Sequence, residues 1–136
     1  MEKVVLVDEN DRQIGLMEKM EAHTTPHLHR AFSVFIFNSK GEMLLQQRAL
    51  GKYHSPGLWT NTCCSHPRDG ETLAEATSRR LWEEMGMRCD IREIYTLIYN
   101  APVGQGLIEH ELDHVWIGQS DDQPNINHEE VAAWKY

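Results

Sequence analysis

Runs of apolar and polar positions divide the chain into short elements. Val4–Val7 is an apolar run followed by the turn cluster Asp8-Glu9-Asn10-Asp11, which predicts a short first strand. Ile14–Met20 predicts a second short strand. Ala31–Phe37 is rich in aromatic and β-branched residues and predicts a buried strand. Asn38-Ser39-Lys40-Gly41 then forms a hairpin-like turn, with Met43–Arg48 returning as the partner strand. Gly51–Gly57 is a loop, and Leu58–Cys64 is extended again.

The clearest helix spans Leu73–Met85. Thr72 and Glu75 fit a capping box, in which each side chain satisfies the other residue's free backbone N–H. Leu73, Thr77, Leu81 and Met85 recur every four residues as one packing stripe, and Gly86 sits where a left-handed cap ends a helix. Ile91–Tyr99 and Leu107–Ile117 read as strands joined by a Pro102/Gly104/Gly106 loop. Gln119–Asn127 is polar and turn-rich, and a last element begins near Glu129. Strands around one well-capped helix predict a mixed sheet with helices packed on it.

The 136 residues suit a single domain, 1–136, with a real core. No apolar stretch approaches the length of a bilayer span, and the start Met1-Glu2-Lys3 carries no secretory pattern, so a cytoplasmic protein is expected. Three cysteines, Cys63, Cys64 and Cys89, with no CxxC pair, argue against a disulfide framework or a zinc knuckle. A net charge of −8 argues against nucleic-acid or membrane-surface binding, and leaves open a small anionic substrate met by local cations or metals.

Candidate chemistry comes next. Glu109 and Glu111 lie two apart in a predicted strand, so both carboxylates face one way, about 7 Å apart along the chain. Spacing alone leaves open a solvated strand face or a cation held between them. His23 and His29 bracket a loop containing His27, and His66 follows Cys64 by two. Three imidazoles and two carboxylates suit a borderline ion such as Mn²⁺, Fe²⁺ or Zn²⁺, although no local pattern ties the five together. Arg80 and Glu84 share a helix face with Glu83 beside them, either as a surface ion pair or as a Mg²⁺ carboxylate with a phosphate-binding guanidinium. Lys19, Arg48 and Lys52 are further candidate phosphate partners. Cys64 is an inert thiol or, beside a cation, a proton donor or acceptor; Cys63 points to the opposite side of the extended chain. His54, His110, His114 and His128 receive no role, and Trp59, Trp82 and Trp116 read as packing.

Glu71-x7-Arg79-Arg80-Leu81-Trp82-Glu83-Glu84-Met85-Gly86-Met87 resembles the Nudix box, G-x5-E-x7-R-E-U-x-E-E-x-G-U with U apolar. Two positions depart from it: Ser65 replaces the first Gly, and Arg80 stands where the box has a metal-binding Glu. A wider set of stretches resembles the type 1 isopentenyl-diphosphate isomerases, a branch of the Nudix superfamily. These are Leu16–Lys19, Ala22-His23-Thr24, Leu28–Ser33, Arg48-Ala49-Leu50, Pro56–Asn61, Cys64–Pro67, the helix, Tyr99, and Glu109-His110-Glu111.

The resemblance implies an α+β fold, an α/β/α sandwich with a mixed sheet packed between helices. It implies a metal cage of His23, His29, His66, Glu109 and Glu111 holding one Mn²⁺, Zn²⁺ or Fe²⁺. It also implies a substrate-bound Mg²⁺ at Glu84 and the Cys64 carbonyl, with Lys19, Arg48, Lys52 and Arg80 binding diphosphate. Cys64, Tyr99 and Glu111 are the implied acid/base groups. The implied reaction converts isopentenyl to dimethylallyl diphosphate by protonation at the terminal alkene carbon and proton loss from C2, in a monomer or weak dimer. A Nudix pyrophosphohydrolase is the alternative, as is an inactive fragment that binds metal or a partner. Members of that branch continue further and place a C-terminal Trp over the carbocation. This chain ends at Tyr136, and Trp134 lies too early for that role, so it is read as truncated.

Overall fold

The computed structural model describes residues 2–52 and 54–136. Among these, the chain order is β1 (Lys3–Val7), β2 (Gln13–Glu18), α1 (Lys19–Thr24), β3 (His29–Phe37), β4 (Leu45–Arg48), β5 (Trp59–Thr60), β6 (Cys63–Ser65), α2 (Leu73–Met85), β7 (Ile91–Gly104), β8 (Leu107–Gln119) and β9 (Val131–Lys135). A mixed six-stranded sheet runs β2-β1-β3-β8-β7, with β6 also paired to β3. A separate three-stranded sheet runs β5-β4-β9.

β3 and β8 pair in parallel from His29↔Glu111 to Phe37↔Gln119, while β7 and β8 form a long antiparallel hairpin. Side chains alternate along a strand, so β3 turns His29, Ala31 and Ser33 to one face and Phe32, Val34 and Ile36 to the other. The second set, with Leu44, Cys63, Leu81, Met85 and Val131, forms the main buried core beneath α2. His23 of α1 meets His29, so the two helices cover opposite faces of the sheet. The α+β architecture with a mixed sheet between helices is thus the one observed.

The α2 boundaries match the sequence pattern because both ends carry their own stop signals. The Thr72 hydroxyl accepts from the Glu75 N–H (3.1 Å), and the Glu75 carboxylate accepts from the Thr72 N–H (2.9 Å). Gly86 closes the helix in the left-handed region at φ 62°, directing its N–H to the Trp82 carbonyl.

Elsewhere the strand pattern is corrected. β2 stops at Glu18, and Lys19–Thr24 is helical rather than a continuation of the strand. Lys-Met-Glu-Ala is a run of good helix formers with no β-branched residue, and this outweighs the strand reading. Met43–Arg48 does not return as a full partner of β3. One bridge, Phe37↔Met43, links them, and β4 pairs instead with β5 and β9. The Thr62 hydroxyl explains the parting: it accepts from the Ile36 N–H (2.9 Å) and donates to the Leu44 carbonyl (2.6 Å), standing where a strand partner would. Leu58–Cys64 is split between the two sheets, with Asn61 at the switch donating to the carbonyls of Val34 and Cys63. The Pro102/Gly104/Gly106 loop shrinks to a tight turn at Gln105-Gly106, both at positive φ, and Pro102 is tolerated inside β7 because β7 is an edge strand.

A Cβ at Gly86 would lie 2.2 Å from the Asn125 carbonyl oxygen. Gly86→Ala is therefore expected to cost more than Thr72→Ala, whose lost cap costs about 1 kcal/mol. Thermal or urea unfolding of the two variants checks this; equal losses would show that the helix end relaxes freely.

Candidate functional site

Three strand pairings build the site on the sheet face opposite α2. The parallel ladder sets His29 beside Glu111, and the β7–β8 hairpin sets Tyr99 beside Glu111 and Ala101 beside Glu109. β6 sets Cys64 beside Ser33. His66, two residues past Cys64, keeps the same face. The short helix α1 then lowers His23 onto the group.

The buried residues His23, His29, His66 and Glu111 each offer one ligand atom, all within 4.8 Å of one another. One Glu111 oxygen, Oε2, lies 3.2 Å from His29 Nε2 and 3.1 Å from His66 Nε2. The other accepts a 2.5 Å hydrogen bond from the Tyr99 hydroxyl. The far nitrogens are anchored too: His23 Nδ1 lies 2.8 Å from the Lys19 carbonyl, and His29 Nδ1 lies 2.9 Å from the His27 carbonyl. A carbonyl only accepts, so each Nδ1 carries a proton and each Nε2 is turned inward as a potential ligand. This donor set of imidazole nitrogen and carboxylate oxygen fits a borderline divalent ion.

Electrostatics agree with a site built around positive charge. Burial opposes ionisation of Glu111, but hydrogen bonds with His29 and His66 outweigh it and hold the carboxyl well below its usual range. Burial likewise opposes protonation of His29, yet its bond to Glu111 leaves its pKa raised. Burial, reinforced by the carboxylates of Glu111 and Glu109, pushes the Tyr99 phenol up, so it remains a proton donor.

Cys64 lies on the same face, while Cys63 is fully buried with its sulfur 3.7 Å from Glu84. Residue Cys64 as a whole is exposed, but its sulfur sits among protein atoms: the thiol donates to Asn61 Oδ1 (2.9 Å), with Ser33 Oγ at 3.7 Å. Desolvation, with the carboxylates of Asp113 and Glu111 adding to it, pushes the thiol up to about 12. Asp113, held at 2.8 Å by the Ser33 hydroxyl, is itself raised to about 7, by burial and by Glu111.

Cys64, Tyr99, Glu109 and Glu111 all border one cavity of about 250 Å³, and so do Lys19, Arg48, Lys52 and Arg80. The four cations proposed from scattered sequence positions thus share one rim. Arg80 is the best held of them: its guanidinium reaches Glu84 (2.7 Å), Glu83 (2.9 Å) and Glu130 (3.2 Å). Coulombic attraction to Glu84 and Glu130 outweighs desolvation and raises its pKa further. Glu84 is buried, with its second oxygen accepting from Gln46 Nε2 (3.0 Å). Lys52 pairs with Glu130, and Lys19 with Glu2 at 3.0 Å.

Glu109 stands apart from the tight set. Its Oε2 is 4.0 Å from His23 Nε2 and 3.3 Å from the Nε2 of His54, and its Oε1 accepts from Tyr99 at 3.3 Å. His54, Asp113 and Glu130 are site residues that sequence reasoning passed over. His54 sits in an irregular loop where no periodicity betrays a direction. Asp113 continues the i, i+2 series of Glu109 and Glu111, which was a usable signal. Trp59, read as packing, also borders the cavity.

Residues 27–136 match the NUDIX domain family. The isopentenyl-diphosphate Delta-isomerase of Pectobacterium atrosepticum is 58% identical over 134 residues, which cover 98% of this chain and 75% of that protein. The protein of the same name from Burkholderia multivorans is 53% identical over 135 residues, 99% of this chain and 77% of its own. Among solved structures, DR0079 from Deinococcus radiodurans superposes with a TM-score of 0.78 at 22% identity, covering 98% of this chain and 82% of that one. The MutT protein of Methanosarcina mazei Go1 superposes with a TM-score of 0.67 at 21% identity, over 79% and 75%. The structural likenesses establish the Nudix fold, and the sequence relatives narrow it: the chain belongs to the isopentenyl-diphosphate Delta-isomerase family of NUDIX-domain proteins.

Proposed function

We propose that this protein interconverts isopentenyl and dimethylallyl diphosphate, using Cys64 and the Tyr99–Glu111 pair as the proton-transfer groups. The observation that carries this reading is their common outlook: both border the cavity that Lys19, Arg48, Lys52 and Arg80 also border. The cations bind the diphosphate, and the five-carbon chain lies between the thiol and the phenol–carboxylate pair. A proton is added at the terminal alkene carbon and another is lost from C2, so one group gives as the other takes. Because the reaction is reversible, each group is the donor in one direction and the acceptor in the other. When the Cys64 thiol gives its proton, the Tyr99–Glu111 pair takes one: the phenol oxygen accepts the substrate proton as its own proton passes to the ionised Glu111 carboxylate along the hydrogen bond already formed. Cys64, with its pKa near 12, starts as a neutral thiol.

Two divalent ions belong to this reading. His23, His29, His66 and Glu111, with Glu109 at the edge, would hold a Mn²⁺, Zn²⁺ or Fe²⁺, which would supply positive charge that keeps Glu111 ionised and in place. Glu84 would hold a substrate-bound Mg²⁺, which would supply positive charge to the diphosphate oxygens. Arg80 pairs with Glu84, which sets its guanidinium beside the position proposed for the diphosphate. No helix among the described residues is long and apolar enough to cross a membrane.

A pyrophosphohydrolase is the weaker reading. Arg80 occupies the position of a metal-binding carboxylate and ties up Glu83 and Glu84 with its own charge. That arrangement leaves Glu84 for one substrate-bound Mg²⁺ and does not present the row of carboxylates that would gather several metals for cleavage.

Incubation with isopentenyl diphosphate and Mg²⁺ is expected to yield dimethylallyl diphosphate with no phosphate released; steady release of phosphate would reverse the choice between the two reactions. Cys64→Ala and Glu111→Gln are each expected to lower turnover by about 10²–10⁴-fold with the fold intact by circular dichroism. Near-normal turnover by Cys64→Ala would remove the thiol from the mechanism. Arg80→Met is expected to raise KM for the diphosphate more than it lowers kcat, as loss of a binding contact does. An unchanged KM would place Arg80 outside the diphosphate site. His29→Asn is expected to weaken transition-metal affinity by at least about tenfold, read by competition with a chromophoric chelator. Wild-type affinity in that variant would exclude the cage.

A further inference from the structure

Glu130 has no part in the mechanism above, yet one of its oxygens joins two cations from separate elements. Lys52 comes from the loop after β4 and Arg80 from α2, and both meet Glu130 Oε2, Arg80 at 3.2 Å. All three residues border the cavity. Burial opposes ionisation of Glu130, but the hydrogen bond and charge of Lys52, with Arg80 adding to them, outweigh it and hold the carboxyl below its usual range. The Glu130 backbone is tied to the same two regions. Its N–H donates to the Asn127 carbonyl (2.9 Å), and the Asn127 N–H donates to the Glu84 carbonyl of α2 (2.9 Å). Its carbonyl accepts from the Ala49 N–H (3.1 Å), one residue past Arg48, and Arg48 pairs with Val131 in the β4–β9 ladder. Three of the four rim cations are therefore fixed, by side chain or by backbone, at the start of β9.

Lys52 and Arg80 carry like charges and repel each other at the separation that one shared oxygen imposes. A carboxylate between them offsets that repulsion and sets their spacing before any phosphate is present. Neither cation is used up by it. The Lys52 ammonium has three N–H donors and the Arg80 guanidinium five, and the Arg80 Nε–H has no hydrogen-bond partner among the described residues. Each cation can therefore meet a phosphate oxygen while Glu130 still holds it. Long side chains ordered in advance also lose less conformational entropy when the ligand arrives.

We propose that Glu130 is a positioning residue for the diphosphate, its Oε2 holding Lys52 and Arg80 at the spacing that receives the phosphate oxygens. This rests on the reading of Lys52 and Arg80 as diphosphate-binding cations. The Glu130 charge alone would work against an anion, so its contribution lies in the order it imposes on the two cations.

These two effects of Glu130 have opposite signs in one measurement. The full chain, with Mg²⁺ present, is titrated with inorganic pyrophosphate in a calorimeter. Were Glu130 only a nearby anion, removing it would tighten pyrophosphate binding. With Glu130 as the organiser, Glu130→Ala is expected to weaken binding about tenfold, and Glu130→Gln, which keeps an acceptor oxygen in place, about threefold. KM for isopentenyl diphosphate should rise in parallel, and by more than kcat falls, a split that general loss of structure does not produce. Unchanged or tighter pyrophosphate binding by Glu130→Ala would overturn the proposal; should that variant fail to fold, the same result from Glu130→Gln does so. A fall in kcat at unchanged KM would overturn it as well. Arg80→Met is titrated in parallel. If it binds pyrophosphate as wild type does, the diphosphate reading and this proposal fall together; if it loses pyrophosphate while Glu130→Ala binds normally, only this one falls.

Discussion

The site depends on one pairing register, the parallel ladder that sets His29 of β3 beside Glu111 of β8. A slip of one residue in a strand turns every side chain to the opposite face. Here it would turn Glu109, Glu111 and Asp113 away from the histidines to the face where Leu112 packs with Val5, Val7 and Leu28, and lift Leu112 into the site. The register is pinned from both sides. On the core side Phe32, Val34 and Ile36 need burial, and on the site side Glu111 needs His29, His66 and Tyr99. A carboxylate 4% exposed is costly unless its lone pairs are met, and these three residues meet them. Fold and chemistry therefore impose the same constraint on β8.

The same economy of charge explains how an acidic chain can hold a diphosphate. The cavity rim carries cations whose partners are carboxylates at hand: Arg80 with Glu83, Glu84 and Glu130, Lys52 with Glu130, Lys19 with Glu2. These pairs keep the rim ordered before substrate arrives and can be exchanged for phosphate oxygens. Arg80 matters most, because it converts a helix face of metal-binding carboxylates into one of ion pairs. In the proposed function, that residue favours moving protons beside a diphosphate over cleaving it.

Much of this was legible in the sequence, for reasons that differ by residue. α2 was readable to its last residue because its capping box and Gly86 are local signals. The side-by-side placement of Glu109 and Glu111 followed from strand alternation alone. His23, His29 and His66 were different, since only the resemblance to a known family tied them together; their meeting depends on β3, β6 and α1 converging, and no spacing encodes that. The β3–β4 hairpin was misread because the Thr62 hydroxyl, distant in sequence, occupies the would-be pairing edge. α1 was misread because a strand signal ran into a six-residue helix too short to show its own period. His54 escaped notice for a related reason: it sits in a loop, and its value comes from Glu109, 55 positions away.

The central claim is that protons move while the diphosphate stays whole. The most direct measurement is NMR of the product formed from isopentenyl diphosphate and Mg²⁺ in D₂O. The account predicts dimethylallyl diphosphate with deuterium in the methyl group derived from the terminal alkene carbon, and an intact diphosphate by phosphorus NMR. Unlabelled carbon accompanied by free phosphate or a monophosphate would contradict it.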